Sequence, residues 1–252
     1  MTMDLREILD GWDYEPGKIS VRKIIGQDGH EKIQTRVDLG ILQFEPSGRP
    51  DGRRPYGCDS MLTFFETRLE EHIAKHGTAE GFVLLPEDCR DLRHEAHLYY
   101  QRYLSLFVLE EYAGVEQDTE RNLRLIELCR DYGETEYDQT ALEAQWAYVL
   151  MMHTRAKVYL ALDAERFETA LALLEHGRTQ LQEWEQDEDR QEGESASAET
   201  EVLDALRDEI YDMMPPNNKL RIERELQLAL EHEDYEQAAI LRDRLNQHQF
   251  ED

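Results

Sequence analysis

Basic side chains are scarce in this sequence. Only 28 Lys and Arg stand against 56 Asp and Glu in 252 residues, a net charge of −28. A field of that sign repels nucleic-acid phosphates and anionic lipid headgroups, which argues against non-specific binding to DNA or membrane surfaces. Cysteine is scarce as well. Cys58, Cys89 and Cys129 lie far apart with no CxxC pair, and a sparse, odd set points to free thiols in a reducing compartment. No run approaches the length of an apolar membrane span, and residues 1–13 lack the apolar stretch of a signal peptide. The expected location is therefore cytoplasmic.

The familiar catalytic signatures are also missing. There is no GxxxxGK[ST] loop, and Gly26-Gln27-Asp28-Gly29 is too short to serve as one. His72 and His76 stand at i, i+4, and His94 and His97 at i, i+3 with Glu95 between them. No HExxH motif results, and no cysteine falls in a ligand register. The histidines are accordingly read as solvent-facing or locally bonded. Carboxylates are so abundant that no pair stands out as acid and base, and no serine lies in a nucleophile-elbow context. The expectation is a non-catalytic protein with no metal and no cofactor.

What is present is a well-charged globular composition, 40% hydrophobic and 33% charged, long enough for one large domain or two small ones. The charge is uneven. Residues 1–57 hold nine Lys/Arg and ten Asp/Glu, whereas the remainder holds 19 and 46. The first 57 residues thus form a different kind of surface.

They also carry the only strand patterns. Leu5, Ile8, Leu9 and Trp12 suggest a brief helix or an extended lead-in. Ile19 to Ile25 is β-branched and partly alternating, Gly26 to Gly29 signals a turn, and Lys32 to Leu39 alternates polar and apolar residues. This reads as a β-hairpin, with Gly40 to Phe44 extending its second strand. A lone hairpin is marginal in water, so it should lie against helices or a partner. Residues 46–57, with three prolines, three glycines and Arg49, Arg53 and Arg54, read as a loop. Its arginines either contact a partner anion or, the preferred reading, pair with the acidic body.

From Asp59 onward apolar residues recur at helical spacing. Helices are expected from Asp59 to His76-Gly77, from Glu87 to Tyr112, and from an Asp118-Thr119 cap to Gly133. Further ones are expected over 140–162, 167–184 and 200–213. Residues 185–201, with eight acids against Arg190, read as a flexible acidic loop. Pro215-Pro216-Asn217-Asn218 reads as a hinge. The expected organisation is a β-hairpin segment at 1–57, a body of helical hairpins at 58–214, and a two-helix hairpin at 215–252. The fold class is mainly α.

Leu160 to Ala170 and Leu228 to Ala238 repeat one pattern 68 residues apart: a helix end, an acidic turn, an aromatic residue followed by Glu, and an Ala one turn on. A weaker third copy runs through Leu109, Tyr112 and Asp118-Thr119-Glu120. The aromatic ring anchors such a turn, and the small Ala lets two backbones approach closely. Stacked hairpins of this kind resemble tetratricopeptide repeats in architecture, although the Trp-Leu-Gly-Tyr signature is missing. They either present a groove for a peptide or partner helix, or form a plain bundle.

After the hinge, residues 219–249 run KLRIERELQLALEHEDYEQAAILRDRLNQHQ. Leu226, Ala229 and Leu230 make one apolar stripe, and Tyr235, Ala238, Ala239, Leu241 and Leu245 another. A hairpin this small buries too little to stand alone. The run Tyr-Glu-x-Ala-Ala-x-Leu-Arg-Asp resembles the UVR motif, the helical hairpin at the end of UvrB and within UvrC that also occurs in Clp-family regulators. The chain as a whole is similar to uncharacterised bacterial proteins that join such a motif to a helical body. In the family the motif pairs with a second copy, which implies a four-helix contact with Arg242 and Asp243 near it. The resemblance thus implies a protein-docking element with Leu226, Leu230, Tyr235, Ala238, Ala239, Arg242 and Asp243 as the contact residues. Its partner is another protein or a second copy of the chain, with no direct nucleic acid and no membrane. The expected function is that of an adaptor. The alternative is an accessory role in nucleotide excision repair through UvrB or UvrC.

Overall fold

The computed structural model describes residues 4–186 and 196–248. They divide into two compact units, residues 4–157 and residues 158–186 with 196–248.

The first unit opens with a short helix α1 (Leu5–Leu9) whose first turn is capped by the Asp4 carboxylate. Three antiparallel strands follow, β1 (Ser20–Ile25), β2 (Glu31–Val37) and β3 (Gly40–Phe44), paired in the order β1-β2-β3. The expected hairpin is present, but its second strand does not continue to Phe44. The chain reverses at Asp38-Leu39, so that Val37 pairs with Gly40 and Ile33 with Phe44. Side-by-side pairing puts Ile33 and Phe44 on the same buried face, which a continuous strand would not do. Gly29 closes the β1–β2 loop at φ +78, a backbone setting that disfavours other residues.

Helix α2 (Met61–His76) starts on the Ser60 side chain and stops at Gly77 in the left-handed region. Next come α3 (Pro86–Val108), α4 (Tyr112–Tyr132), α5 (Glu136–Thr140) and α6 (Glu143–Asp163). Their core joins Leu62 and Phe65 of α2, Leu92 and Ala96 of α3, Leu125 and Ile126 of α4, and Val149 of α6. The sheet rests on α3, where Thr35 Oγ1 and Ser105 Oγ meet at 2.6 Å. As expected, the strands do not stand free.

Two buried carboxylates tie the helices together, and one of them corrects a helix boundary read from sequence. Asp118 was expected to cap a helix; instead α4 begins six residues earlier, and Asp118 lies buried in its interior. There Arg102 of α3 holds it through two hydrogen bonds of 2.8 and 2.6 Å. The remaining Arg102 nitrogen donates to the carbonyls of Glu45 and Gly48. One guanidinium therefore joins α3, α4 and the loop after β3. Glu95, fully buried, accepts the amides of Met61 and Leu62 at the start of α2. Arg121 and Arg49 flank it. Arg49 thereby spends its charge inside the first unit, while Arg53 and Arg54 pair at the surface with Asp51 and Asp59. Arg49 and Arg54 thus pair with the acidic body, whereas Arg53 pairs within its own loop.

The second unit holds the end of α6, then α7 (Phe167–Glu185), α8 (Ser197–Met213), α9 (Lys219–Glu231) and α10 (Tyr235–His248). Ala170, Leu174, Gly177 and Leu181 are the buried positions of α7, and Leu203, Leu206 and Ile210 those of α8. Arg178 pairs with Glu175 and Asp204 at 2.9 Å each, tying α7 to α8. The acidic loop expected at 185–201 falls largely on residues 187–195, outside the described residues. At its edges α7 runs through Glu185 and α8 begins at Ser197, four residues before the expected end of the loop.

One turn geometry recurs three times. After α3, Glu110 has φ +60, and Glu110 N and Glu111 N donate to Phe107 O and Leu106 O. After α6, Glu165 has φ +54, and Glu165 N and Arg166 N donate to Leu162 O and Ala161 O. After α9, Glu233 has φ +58, and Glu233 N and Asp234 N donate to Leu230 O and Ala229 O. Each is a helix stop of the Schellman type with glutamate where glycine is usual. An aromatic residue, Tyr112, Phe167 or Tyr235, opens the following helix. The sequence repeat is a repeat of this turn.

Candidate docking hairpin

Asn218 starts α9 by accepting the amides of Leu220 and Arg221 on its side-chain oxygen. Between α9 and α10 the interior is built from Ile222, Ala229, Ala238 and Leu241, with Leu226 and Leu245 packed against them. Ile222 and Leu241 are wholly buried. The small Ala229 and Ala238 share that interior, where their size lets the helices close on each other.

Of the seven contact residues expected from sequence, the structure draws Leu226 and Ala238 into this interior. Leu230, Tyr235, Ala239, Arg242 and Asp243 remain exposed. Tyr235, Ala239, Arg242 and Asp243 stand at i, i+4, i+7 and i+8, which is one face of α10. Leu230 closes α9 at 51% exposure, and Tyr235 opens α10 at 66%. Two large apolar side chains thus flank the hairpin turn in solvent.

Sequence reasoning missed Ile222 and Ile240. Ile222 extends the Leu226 and Ala229 spacing one turn toward the helix start, so the stripe itself could have found it. Ile240, 51% exposed, belongs to neither stripe and left no periodic signal.

The Pro215-Pro216 corner joining α8 to the hairpin is braced. Arg221 donates to the carbonyls of Asp212 and Met214 at the end of α8, and to Glu225 one turn along its own helix. From α10, Arg244 reaches the Pro216 carbonyl at 2.8 Å. Met214 is buried beneath the corner. The segment read as a hinge is held by two arginines, Arg221 on carbonyls that the end of α8 leaves open and Arg244 on the corner itself.

His72, His76 and His97 have local contacts. His72 contacts the Glu80 carbonyl at 3.0 Å and lies against the His76 ring, and His97 lies beside Gln101 and Tyr100. Among the described residues no group of three His, Cys, Asp or Glu side chains is placed to hold a metal ion. Among them, no helix is long and apolar enough to cross a membrane.

Residues 219–249 match the family described as the UvrB/uvrC motif, UVR. The match covers about an eighth of the chain and coincides with α9 and α10. No curated protein gives a significant match to the chain, and neither does any solved structure.

Proposed function

We propose that this chain is a non-catalytic adaptor that docks another protein through the exposed face of its UVR hairpin. One observation carries the reading. The hairpin satisfies its own interior with Ile222, Ala229, Ala238 and Leu241, yet leaves Leu230 and Tyr235, on either side of its turn, in water. Large apolar groups grouped at an exposed surface mark contact sites. Tyr235, with an apolar ring and a polar tip, is the kind of residue that anchors an interface. The three recurrent turns support a tetratricopeptide-like reading of the other hairpins, with the UVR hairpin as the docking end.

Affinity purification of the full chain, compared with a Leu230→Ser, Tyr235→Ser variant, tests the reading. The variant retains the wild-type far-ultraviolet circular dichroism and loses the proteins that co-purify with the wild type. An unchanged set of co-purifying proteins contradicts it. The family match gives the repair alternative a direct assay. Saturable binding of purified UvrB or UvrC at physiological salt, weakened by the same variant, makes the repair machinery the partner.

A further inference from the structure

A cavity of about 300 Å3 opens in the first unit between the loop after β3, the start of α2 and the first turns of α3. Arg49, Pro55 and Tyr56 line it from the loop, Met61 from α2, and Asp91 and His94 from α3. Asp91 and His94 stand at i, i+3 and so share one face of their helix.

Arg49 presents unused donors to this space. Its side chain is 10% exposed, and its buried Nε lies 3.2 Å from Asp51 and 3.3 Å from Glu95. Glu95 is shared with Arg121, and Asp51 with Arg53, so three guanidinium groups stand against two carboxylates. The two terminal nitrogens of Arg49 reach solvent, and no described residue accepts a hydrogen bond from them. They form the planar fork that grips a carboxylate through two parallel hydrogen bonds. Because the rest of the side chain is packed, little rotamer freedom remains to be lost on binding.

Asp91 supplies the opposite charge. It is half-exposed and meets Arg90, its neighbour in sequence, at 3.5 Å, a pair too long and too solvated to occupy it. Among the described residues no ion pair joins Asp91 to Arg49, so a cation and an anion stand apart around one space. Pro55, Met61 and the Tyr56 ring make up the apolar lining. Tyr56 is held at φ +51, stacks on Phe64 at 4.4 Å and is 70% exposed. A non-glycine residue kept at positive φ is strained, and such residues cluster at ligand sites.

Charge selects among ligands. A simple carboxylate would fill the Arg49 fork but would face Asp91 and the net −28 of the chain. A simple amine would pair with Asp91 and leave the fork empty. A zwitterion answers both, and the volume lies at the small end of the range for ligand pockets.

We propose that this cavity binds a free α-amino acid with an apolar side chain. Its carboxylate takes the Arg49 fork, with the His94 ring as a further donor, and its ammonium donates to Asp91. Its side chain lies against Tyr56, Pro55 and Met61. A peptide carries its terminal ammonium and carboxylate on different residues, so the free amino acid is the source.

Titration calorimetry on the full chain tests this with phenylalanine, leucine, phenylpropionate and phenethylamine as probes. Phenylpropionate lacks the ammonium of phenylalanine, and phenethylamine lacks its carboxylate. Phenylalanine or leucine binds saturably, and the two truncated compounds each bind at least about tenfold more weakly than phenylalanine. Asp91→Asn, at a half-exposed position, weakens phenylalanine by about tenfold and tightens phenylpropionate. Arg49→Lys keeps a charge beside Glu95 but loses the fork, and it abolishes amino-acid binding with the wild-type circular dichroism retained. Absence of saturable binding by both amino acids at millimolar concentration overturns the proposal. Phenylpropionate or phenethylamine binding as tightly as phenylalanine overturns it too, as does an Asp91→Asn protein with unchanged phenylalanine affinity.

Discussion

Arg221, in the first turn of α9, donates to the Met214 carbonyl at the end of α8 with a distance of 2.7 Å. The same nitrogen reaches the Asp212 carbonyl at 3.1 Å. A single guanidinium thus closes the end of one helix while anchoring the start of the UVR hairpin. Hydrogen bonds from charged donors are worth about 1.5–3 kcal/mol when sheltered and less where solvent competes. Arg221→Ala is expected to lower stability by about 1–2 kcal/mol. Amide hydrogen exchange should speed up in the last turn of α8 and the first turn of α9 before it does so elsewhere. Equal protection in both proteins would remove the brace from the account.

The turn glutamates offer a gain of stability. Glu110, Glu165 and Glu233 all sit at positive φ, where a side chain costs about 1–2 kcal/mol that glycine does not. Glycine loses more backbone freedom on folding, which offsets part of that gain. Glu233→Gly is therefore expected to stabilise the second unit by about 0.5–1 kcal/mol. Glu165→Gly should do the same in urea titration. A loss of stability in both would show that these glutamate side chains make contacts that outweigh the strain.

The buried pair of Arg102 and Asp118 predicts an asymmetry. Both side chains are nearly inaccessible to solvent, so removing one leaves an uncompensated charge. Asp118→Ala is expected to cost about 3–5 kcal/mol. Arg102→Met with Asp118→Leu should recover much of that, because an apolar pair of similar volume carries no stranded charge. The full recovery is limited by the Glu45 and Gly48 carbonyls, which lose their donor. Equal destabilisation by the single and double variants would contradict this.

A pH dependence follows from His153 of α6, which meets Thr119 Oγ1 at 3.1 Å. Burial, with Lys157 nearby, holds its pKa below the ordinary histidine value, while Glu120 and a hydrogen bond with the Glu116 backbone only partly oppose this. In the unfolded chain the ring protonates below about pH 6.5. The unfolded state then binds more protons than the folded one, so stability falls as pH drops from about 6.5 toward the folded pKa. Above that window His153 contributes no slope. His153→Gln should lose less stability than the wild type between pH 7.5 and 5.5, compared by urea midpoints. Parallel losses would assign the slope to other groups.

Much of this architecture was legible because it rests on periodicity. The hydrophobic spacing of α2, α7 and the C-terminal pair led to helices close to those observed, and the His76-Gly77 signal marked the end of α2. The misreadings share a cause. Asp118-Thr119 has the composition of a helix cap, and only a partner 16 residues away, Arg102, turns it into an interior ion pair. Gly40 to Phe44 continues an alternating pattern, and only the pairing of Phe44 with Ile33 shows that the chain has turned back. Within the C-terminal hairpin, the stripes did not separate interior positions from exposed ones. Ala238 and Ala239 are adjacent, and a rotation of about 100° buries one and exposes the other. The bracing by Arg221 and Arg244 was invisible, because backbone carbonyls carry no sequence signature.

The central claim is that the exposed turn face of the UVR hairpin, and not its fold, captures a partner. Quantitative affinity purification of the full chain against Leu230→Ser, Tyr235→Ser, with both proteins at equal melting temperature, measures it most directly. The account predicts loss of the co-purifying proteins by at least about tenfold. Recovery of the same proteins in the same amounts from the variant would contradict it.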